Sequence, residues 1–98
     1  MRVSVQSVNF NIDDDLVKYT EKKVAGIEKF HDQIIMVEVF LKVQSTSEKE
    51  NKSIEMKVSL PGNDIVVKKQ SNTFEKGVNN ALDTLKTQLI KRKEKQRV

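Results

Sequence analysis

The sequence contains no cysteine and only one histidine among its 98 residues. Without a thiol, the chain can form neither a disulfide nor a thiolate metal site, and it has no cysteine nucleophile. The single histidine, His31, cannot by itself complete a zinc site or pair with a thiol nucleophile. We therefore expect no bound metal and place His31 at the end of the first helix.

Glycine-rich loops and long apolar runs are also missing. The chain has three glycines, and none belongs to a glycine-rich phosphate loop. No segment approaches the roughly 20 apolar residues that a membrane-spanning helix needs, and the start MRVSVQSVNF alternates in polarity, unlike a signal peptide. We expect one cytoplasmic domain over residues 1–98, with no enzymatic activity, no cofactor and no membrane association.

Positive charge is in excess, and the excess is confined to the C-terminal third. Residues 65–98 hold nine lysines and arginines against three acids, a net charge of +6, whereas residues 1–64 hold nine against eleven, a net charge of −2. Charge concentrated on one element raises the local concentration of phosphates and speeds encounter with them. This distribution indicates nucleic acid as a partner.

An apolar helical stripe crosses this basic third and ends near residue 90. Its members, at the spacing of one helix face, are Phe74, Val78, Ala81, Leu82, Leu85 and Leu89. Thr73 or Asn72 can cap the helix through a side-chain oxygen. The following residues, KRKEKQR, carry charge at every angle around the helix axis. They predict a basic helical tail from about residue 90 that buries nothing.

Four strands and another helix precede this tail. Val3 and Val5 begin a first strand, which Val8 and Phe10 continue in the opposite phase, as across a bulge. The acidic run 13–15 favours the positive end of a helix dipole, and it has too few donors for a calcium loop, so it predicts a helix that runs to about residue 29. Alternation with a period of two predicts strands over 36–43, 54–60 and 65–70, with a mobile loop at 44–52 and a turn at 61–64.

The predicted element order is β-α-β-β-β-α, an α+β fold. The first two strands, joined by a helix, should be parallel, and the later strands should form an antiparallel meander. Only one face of the resulting four-stranded mixed sheet is apolar, so both helices must pack on that face. Two basic helices then lie side by side. Phe40 should face outward from the open side of the sheet, where it covers exposed sheet rather than stacks on RNA.

Three stretches of the chain resemble the ribosome hibernation promoting factors, a family that includes the ribosome-associated inhibitor or protein Y group. They are LVKYTEKKVAGIEKF (residues 16–30), VFLKV (39–43) and LKTQLIKRKEK (85–95), and the start MRVSVQSVNF is similar too. The resemblance implies a fold like the double-stranded RNA-binding domain with an extra first strand. In length the chain is similar to the short form of the family, which lacks a C-terminal dimerisation domain.

The resemblance also implies a function. Members of this family inhibit translation by occupying the messenger and tRNA channel of the small ribosomal subunit, which keeps ribosomes inactive in stationary phase or stress. The implied partners are the small subunit and its rRNA. Whether a separate ribosome-dimerising factor joins them is left open, and we expect a monomer off the ribosome.

Eight basic residues form the predicted RNA-binding set. The positions that the family usually keeps basic are Lys23, Lys91, Arg92, Lys93 and Lys95. We add Lys18 and Lys22, which align with Lys29 in one row on the first helix, and Lys86 on the second helix. Two other functions stay open at this point: a protein-interaction regulator of transcription, such as a sigma-factor modulator, and a generic double-stranded RNA-binding module.

Overall fold

The computed structural model describes residues 1–96, and Arg97 and Val98, the end of the predicted basic tail, lie outside the described residues. The elements follow the predicted order: β1 (Arg2–Ser7), α1 (Asp14–Ala25), a 3-10 segment (Gly26–Phe30), β2 (Met36–Val43), β3 (Lys52–Ser59), β4 (Ile65–Ser71) and α2 (Phe74–Gln96). The predicted β-α-β-β-β-α order and the α+β class are confirmed.

The strands form a sheet in the order β1-β2-β3-β4. β1 runs parallel to β2, with Val3 beside Val37 and Val5 beside Val39. β2 and β3 are antiparallel, as are β3 and β4. The prediction of a four-stranded mixed sheet is therefore confirmed.

One face of this sheet carries the core. Along β2, Val37, Val39 and Leu41 are fully buried, whereas Glu38 and Phe40 between them are half-buried on the other face. Burying one such aliphatic side chain contributes about 1.5–3 kcal/mol. α2 packs on β3 and β4, α1 packs on β1, and the two helices contact each other. Both helices therefore cover the same face, as the alternation predicted.

Side chains cap the start of each helix. The Asp13 carboxylate accepts a hydrogen bond of 2.7 Å from the Leu16 N–H, and the Thr73 hydroxyl accepts one of 3.2 Å from the Lys76 N–H. These bonds satisfy backbone donors that a helix leaves free at its first turn. The acidic run is thus a helix start, and Thr73 is the cap of α2. Within residues 1–96, every helix is too short or too polar to cross a bilayer.

The first strand ends earlier than its sequence pattern predicts. β1 stops at Ser7, and the prediction that Val8 and Phe10 continue it is wrong. The Asn9 side chain exchanges two hydrogen bonds with the backbone of Val43, at 2.7 and 3.0 Å, in place of a backbone pair. The chain turns there, and the Phe10 ring stacks on Phe74 with 4.8 Å between centroids.

The first helix also ends earlier. The prediction of a helix to about Lys29 is wrong in its last turn, because the α-helix stops at Ala25 and tightens into the 3-10 segment. His31 follows that segment and is buried, with its Nδ1 accepting a hydrogen bond from the Gln33 N–H at 3.1 Å. The tighter turn buries Ile27 and leaves Phe30 half-buried beside α2.

Candidate nucleic-acid interface

A direct polar contact joins the two helices. The Asn79 side-chain amide of α2 donates a hydrogen bond of 2.9 Å to the Tyr19 hydroxyl of α1. Beside this contact an open groove of about 390 Å³ runs between α2 and the 3-10 segment, with Ile27 and Leu82 among the residues that line it. Lys23 of α1 and Lys86 of α2 lie on the two sides of this groove.

Aromatic rings hold three ammonium groups along the groove. The Lys86 Nζ lies 4.8 Å from the centre of the Phe30 ring, and the Lys29 Nζ lies 5.3 Å from the same centre. The Lys23 Nζ lies 5.7 Å from the centre of the Tyr19 ring. Cation–π attraction at exposed sites contributes about 0.5–1 kcal/mol, so the ammonium groups remain free to move to a stronger anionic partner.

A smaller hollow of about 230 Å³ extends the groove along α2. It shares Lys29 and Phe30 with the first hollow and adds Ile90, Lys93 and Glu94. Lys86 and Lys93 are two helical turns apart and therefore face the same side of α2. We call the surface formed by Lys23, Lys29, Phe30, Lys86 and Lys93 the interhelical groove.

The other predicted cations of α2 lie on its opposite side. Lys91, Arg92 and Lys95 line a hollow of about 210 Å³ with Gln88 and with Ile65 of β4. We call these three cations the basic flank. The end of α2 thus carries positive charge on two opposite sides, one in the interhelical groove and one on the basic flank. The sequence analysis treated these cations as a single set.

Two residues of the predicted tail are not fully solvated. Arg92 and Lys93 are both half-buried. The Arg92 guanidinium donates a hydrogen bond to the backbone carbonyl of Asn63 in the turn between β3 and β4. The prediction that the tail buries nothing is therefore wrong at these two positions. Arg92 lies against the turn between β3 and β4, and Lys93 lies in the hollow that contains Phe30.

The first helix divides its lysines in a similar way. Lys18 and Lys22 each stand two residues from the buried Thr20, which places them roughly 200° around the helix from it. Both side chains are exposed on the outer side of α1, beyond the interhelical groove. Only Lys29 of the predicted row lines the groove. Of the predicted set, the structure brings together Lys23, Lys86 and Lys93, and separately Lys91, Arg92 and Lys95.

The cations of both surfaces are free of ion pairs within residues 1–96, and among them the Arg92 guanidinium already donates a hydrogen bond to the Asn63 carbonyl. Within residues 1–96, the ion pairs join the N-terminus to Glu28, Lys57 to Asp64 and Lys68 to Glu55, and none uses a cation of either surface. Asp83 and Glu94 lie along the interhelical groove and reduce its net charge. In the described part of the chain, the hollow of the basic flank has no acidic lining residue.

The open face of the sheet is electrostatically different. Phe40 lies between Gln6 and Glu55 on this face, where it was predicted, and it is half-buried. Glu55 pairs with Lys68 at 3.8 Å. This face therefore mixes charges of both signs and offers phosphates less than the helical side. Within the described residues no group of three His, Cys, Asp or Glu side chains could hold a metal ion.

Known proteins with similar sequences identify the family of this chain. Residues 3–97 match the family described as Sigma 54 modulation protein / S30EA ribosomal protein. The chain belongs to this family. It is 29% identical over 96 residues to a ribosome hibernation promoting factor of Azotobacter vinelandii, covering 98% of this chain and 86% of that protein. It is 28% identical to the ribosome hibernation promoting factor of Pseudomonas putida, covering 98% of this chain and 90% of that protein.

Solved structures of this family share the architecture. A ribosomal subunit interface protein from Coxiella burnetii superimposes with a TM-score of 0.83 at 28% identity, covering 96% of this chain and 99% of that one. The N-terminal domain of Thermus thermophilus Protein Y gives a TM-score of 0.73 at 27% identity, covering 92% and 93% of the two chains. The resemblance to the ribosome hibernation promoting factors, predicted from the sequence, is confirmed.

Sequence reasoning did not name several residues that lie in or beside the interhelical groove. Phe30 lines the interhelical groove beside Lys29 of the predicted row, and Asn79 joins the two helices next to it. Phe30 ends the 3-10 segment that follows α1. Its position against Lys86 depends on a contact between residues far apart in the sequence.

Proposed function

We propose that this protein binds the small ribosomal subunit through phosphates of its rRNA and keeps the ribosome out of translation. One observation carries the proposal: cations lie on both sides of the second half of α2, in the interhelical groove and on the basic flank. The chain also belongs to a family in which its relatives are named ribosome hibernation promoting factors. We propose that residues 1–98 act as one ribosome-binding domain, monomeric off the ribosome.

The two cationic surfaces suit a narrow, RNA-walled channel. A helix with phosphate-binding groups on opposite sides gains contacts on both only when RNA surrounds it. We propose that α2 lies in the messenger and tRNA channel, where the protein excludes both ligands by occupying their space. In this proposal Lys23, Lys86 and Lys93 contact one wall and Lys91, Arg92 and Lys95 contact the other. We propose that the protein keeps ribosomes inactive in this way during stationary phase or stress.

Phosphate contacts impose a characteristic salt dependence. Each neutralised phosphate releases condensed counterions, so the logarithm of the binding constant falls with the logarithm of salt by about 0.7–0.9 per contact. Side chains that read base edges contribute specificity instead. Binding dominated by six cations should therefore weaken steeply as salt rises.

Competition on purified small subunits tests the channel directly. The protein is bound to small subunits at low salt, and initiator tRNA with messenger is added in excess. We expect the protein to be displaced from the subunit fraction of a sucrose gradient, and cell-free translation to fall as the protein is added. Binding at unchanged affinity to subunits with a filled peptidyl-tRNA site would contradict channel occupancy and leave only RNA binding.

The family description also contains sigma 54 modulation, which makes protein binding the competing function. Ribonuclease treatment of a lysate separates the two. An association with small subunits that disappears with the RNA supports the ribosomal function, whereas a retained protein partner supports regulation of transcription. Equal affinity for a plain RNA duplex and for small subunits would instead indicate a generic double-stranded RNA-binding module.

A further inference from the structure

We infer that the interhelical groove holds one unpaired rRNA base, with the adjoining phosphate on Lys86 and Lys23. This inference rests on the proposed function and adds the chemistry of the ligand at one of its two surfaces. The groove combines what a nucleotide needs: an aromatic ring, an apolar floor and cations at its rim. Its volume of about 390 Å³ falls at the lower end of the range for small-ligand sites, roughly 300–1,000 Å³.

Gly26 is the first observation that favours a ligand. It has ordinary helical dihedral angles, φ −65° and ψ −15°, so its conformation does not require glycine. Apart from its chain neighbours and the backbone of its own helical segment, no described residue lies within 4 Å of a Cβ built on it. Glycine lowers helix stability relative to alanine, yet neither backbone conformation nor close packing explains it here. What its missing side chain provides is open space at the wall of the groove.

Phe30 is the second observation. Its ring is half-buried between the two hollows and carries two ammonium groups, those of Lys86 and Lys29. Bases that are free of pairing stack on aromatic side chains, and the ring quadrupole that attracts ammonium groups does not prevent this. When a nucleotide enters, the lysine side chains move from the ring to its phosphate, which is the stronger partner for an ammonium group.

Asp83 and Asn79 favour a base over a bare phosphate. A carboxylate along the groove repels phosphate but accepts hydrogen bonds from the amino group of a base. The Asn79 amide nitrogen is engaged by Tyr19, which leaves its carbonyl oxygen as a second acceptor. The groove therefore suits a base with an exocyclic amino group better than uracil. The basic flank, without an acid among its lining residues in the described chain, suits phosphates alone.

Filling the groove tests the inference. Gly26→Leu places an aliphatic side chain in the open space, and Ala25→Leu adds the same side chain one residue earlier, at an exposed position outside the groove. We expect Gly26→Leu to weaken binding to purified small subunits by about 5- to 150-fold, the range that loss of one stacked base gives. Gly26→Ala should weaken it less, and Ala25→Leu should bind as the unmodified protein does.

Stability and base reactivity complete the test. Because Gly26 has no packing role, Gly26→Leu and Gly26→Ala should unfold at a urea concentration no lower than the unmodified protein does. Chemical probes of the Watson–Crick edge should find one unpaired rRNA base protected by the unmodified protein and reactive again with Gly26→Leu.

Three results would overturn the inference. One is unchanged subunit affinity in Gly26→Leu, which leaves the proposed function intact. The second is weakened affinity without any base regaining reactivity, which would place a ribosomal protein or a backbone phosphate in the groove. If the unmodified protein itself fails to bind small subunits, the proposed function fails and the inference fails with it.

Discussion

The Asn79 amide and the Tyr19 hydroxyl, 2.9 Å apart, link α2 to α1 beside the interhelical groove. The two residues are 60 positions apart in sequence, and both lie at the side of their helix that faces the other helix. Lys23 on one helix and Lys86 on the other line the same groove, and we expect this link to help hold them there. Removing it should therefore affect RNA binding as well as stability.

Tyr19→Phe removes the hydroxyl and keeps the ring. We expect the free energy of unfolding to fall by at most about 1.5 kcal/mol, the upper value for one hydrogen bond. The loss is limited because Asn79 is exposed and water can replace its lost partner. Urea denaturation of Tyr19→Phe, Asn79→Ala and the double variant gives the coupling energy directly. A coupling indistinguishable from zero would mean that packing alone holds the helices at this spacing.

Two glycines should respond oppositely to the same substitution. A Cβ at Gly77 would overlap the Cδ1 atom of Ile54, which is fully buried in β3, whereas a Cβ at Gly26 meets open space. Gly77→Ala should lower the free energy of unfolding by about 1–3 kcal/mol through overpacking. Gly26→Ala should raise it by about 0.4–1 kcal/mol, because alanine adopts the dihedral angles of Gly26 without strain and has fewer unfolded conformations to lose. Urea denaturation measures both, and a neutral Gly77→Ala would show that Ile54 repacks at little cost.

The fold could be predicted from local periodicity because the elements have strong patterns. Val37, Val39 and Leu41 are buried and are separated by Glu38 and Phe40, which are half-buried on the other face, and that period of two predicted both the strand and its buried face. The end of β1 could not be predicted in this way. Phe10 has the spacing of a strand residue, but it lies beyond the end of β1 and stacks on Phe74, a contact between residues that are distant in sequence.

The site was predictable as a set of cations but not as two surfaces. The spacing of Lys86 and Lys93 already places them on one side of α2. What faces that side is the Phe30 ring, and what faces the other is the turn that contains Asn63. Both neighbours are brought there by tertiary packing. The sequence of α2 therefore predicted on which side of the helix each cation lies. It did not predict which residues of other elements face that side.

Substitutions in the basic flank should affect the free energy of unfolding and the affinity for small subunits differently. Arg92→Ala should lower the free energy of unfolding by about 1 kcal/mol, because the Asn63 carbonyl loses its guanidinium donor. Lys91→Ala and Lys95→Ala should leave unfolding nearly unchanged, since both side chains are exposed. Each of the three should reduce the salt slope of small-subunit binding by about one unit if it contacts a phosphate. An unchanged slope in any variant would remove that residue from the interface.

Charge reversal on α1 and α2 tests which face meets RNA. Lys86→Glu puts a carboxylate in the interhelical groove, and Lys18→Glu puts one on the outer side of α1, with the same change in net charge. Long-range attraction depends on net charge and should weaken equally in both, whereas a direct phosphate contact is lost only where the side chain touches RNA.

We expect Lys86→Glu to weaken small-subunit binding at least about tenfold more than Lys18→Glu does, a difference of about 1.4 kcal/mol. Neither lysine takes part in an ion pair within residues 1–96, so Lys86→Glu should unfold at an only slightly lower urea concentration than Lys18→Glu, by the loss of the cation–π contact with Phe30, about 0.5–1 kcal/mol. Equal losses at low salt that both vanish at high salt would indicate steering by net charge. Equal losses that persist at high salt would extend the interface to the outer side of α1, where Lys18 and Lys22 were predicted to bind.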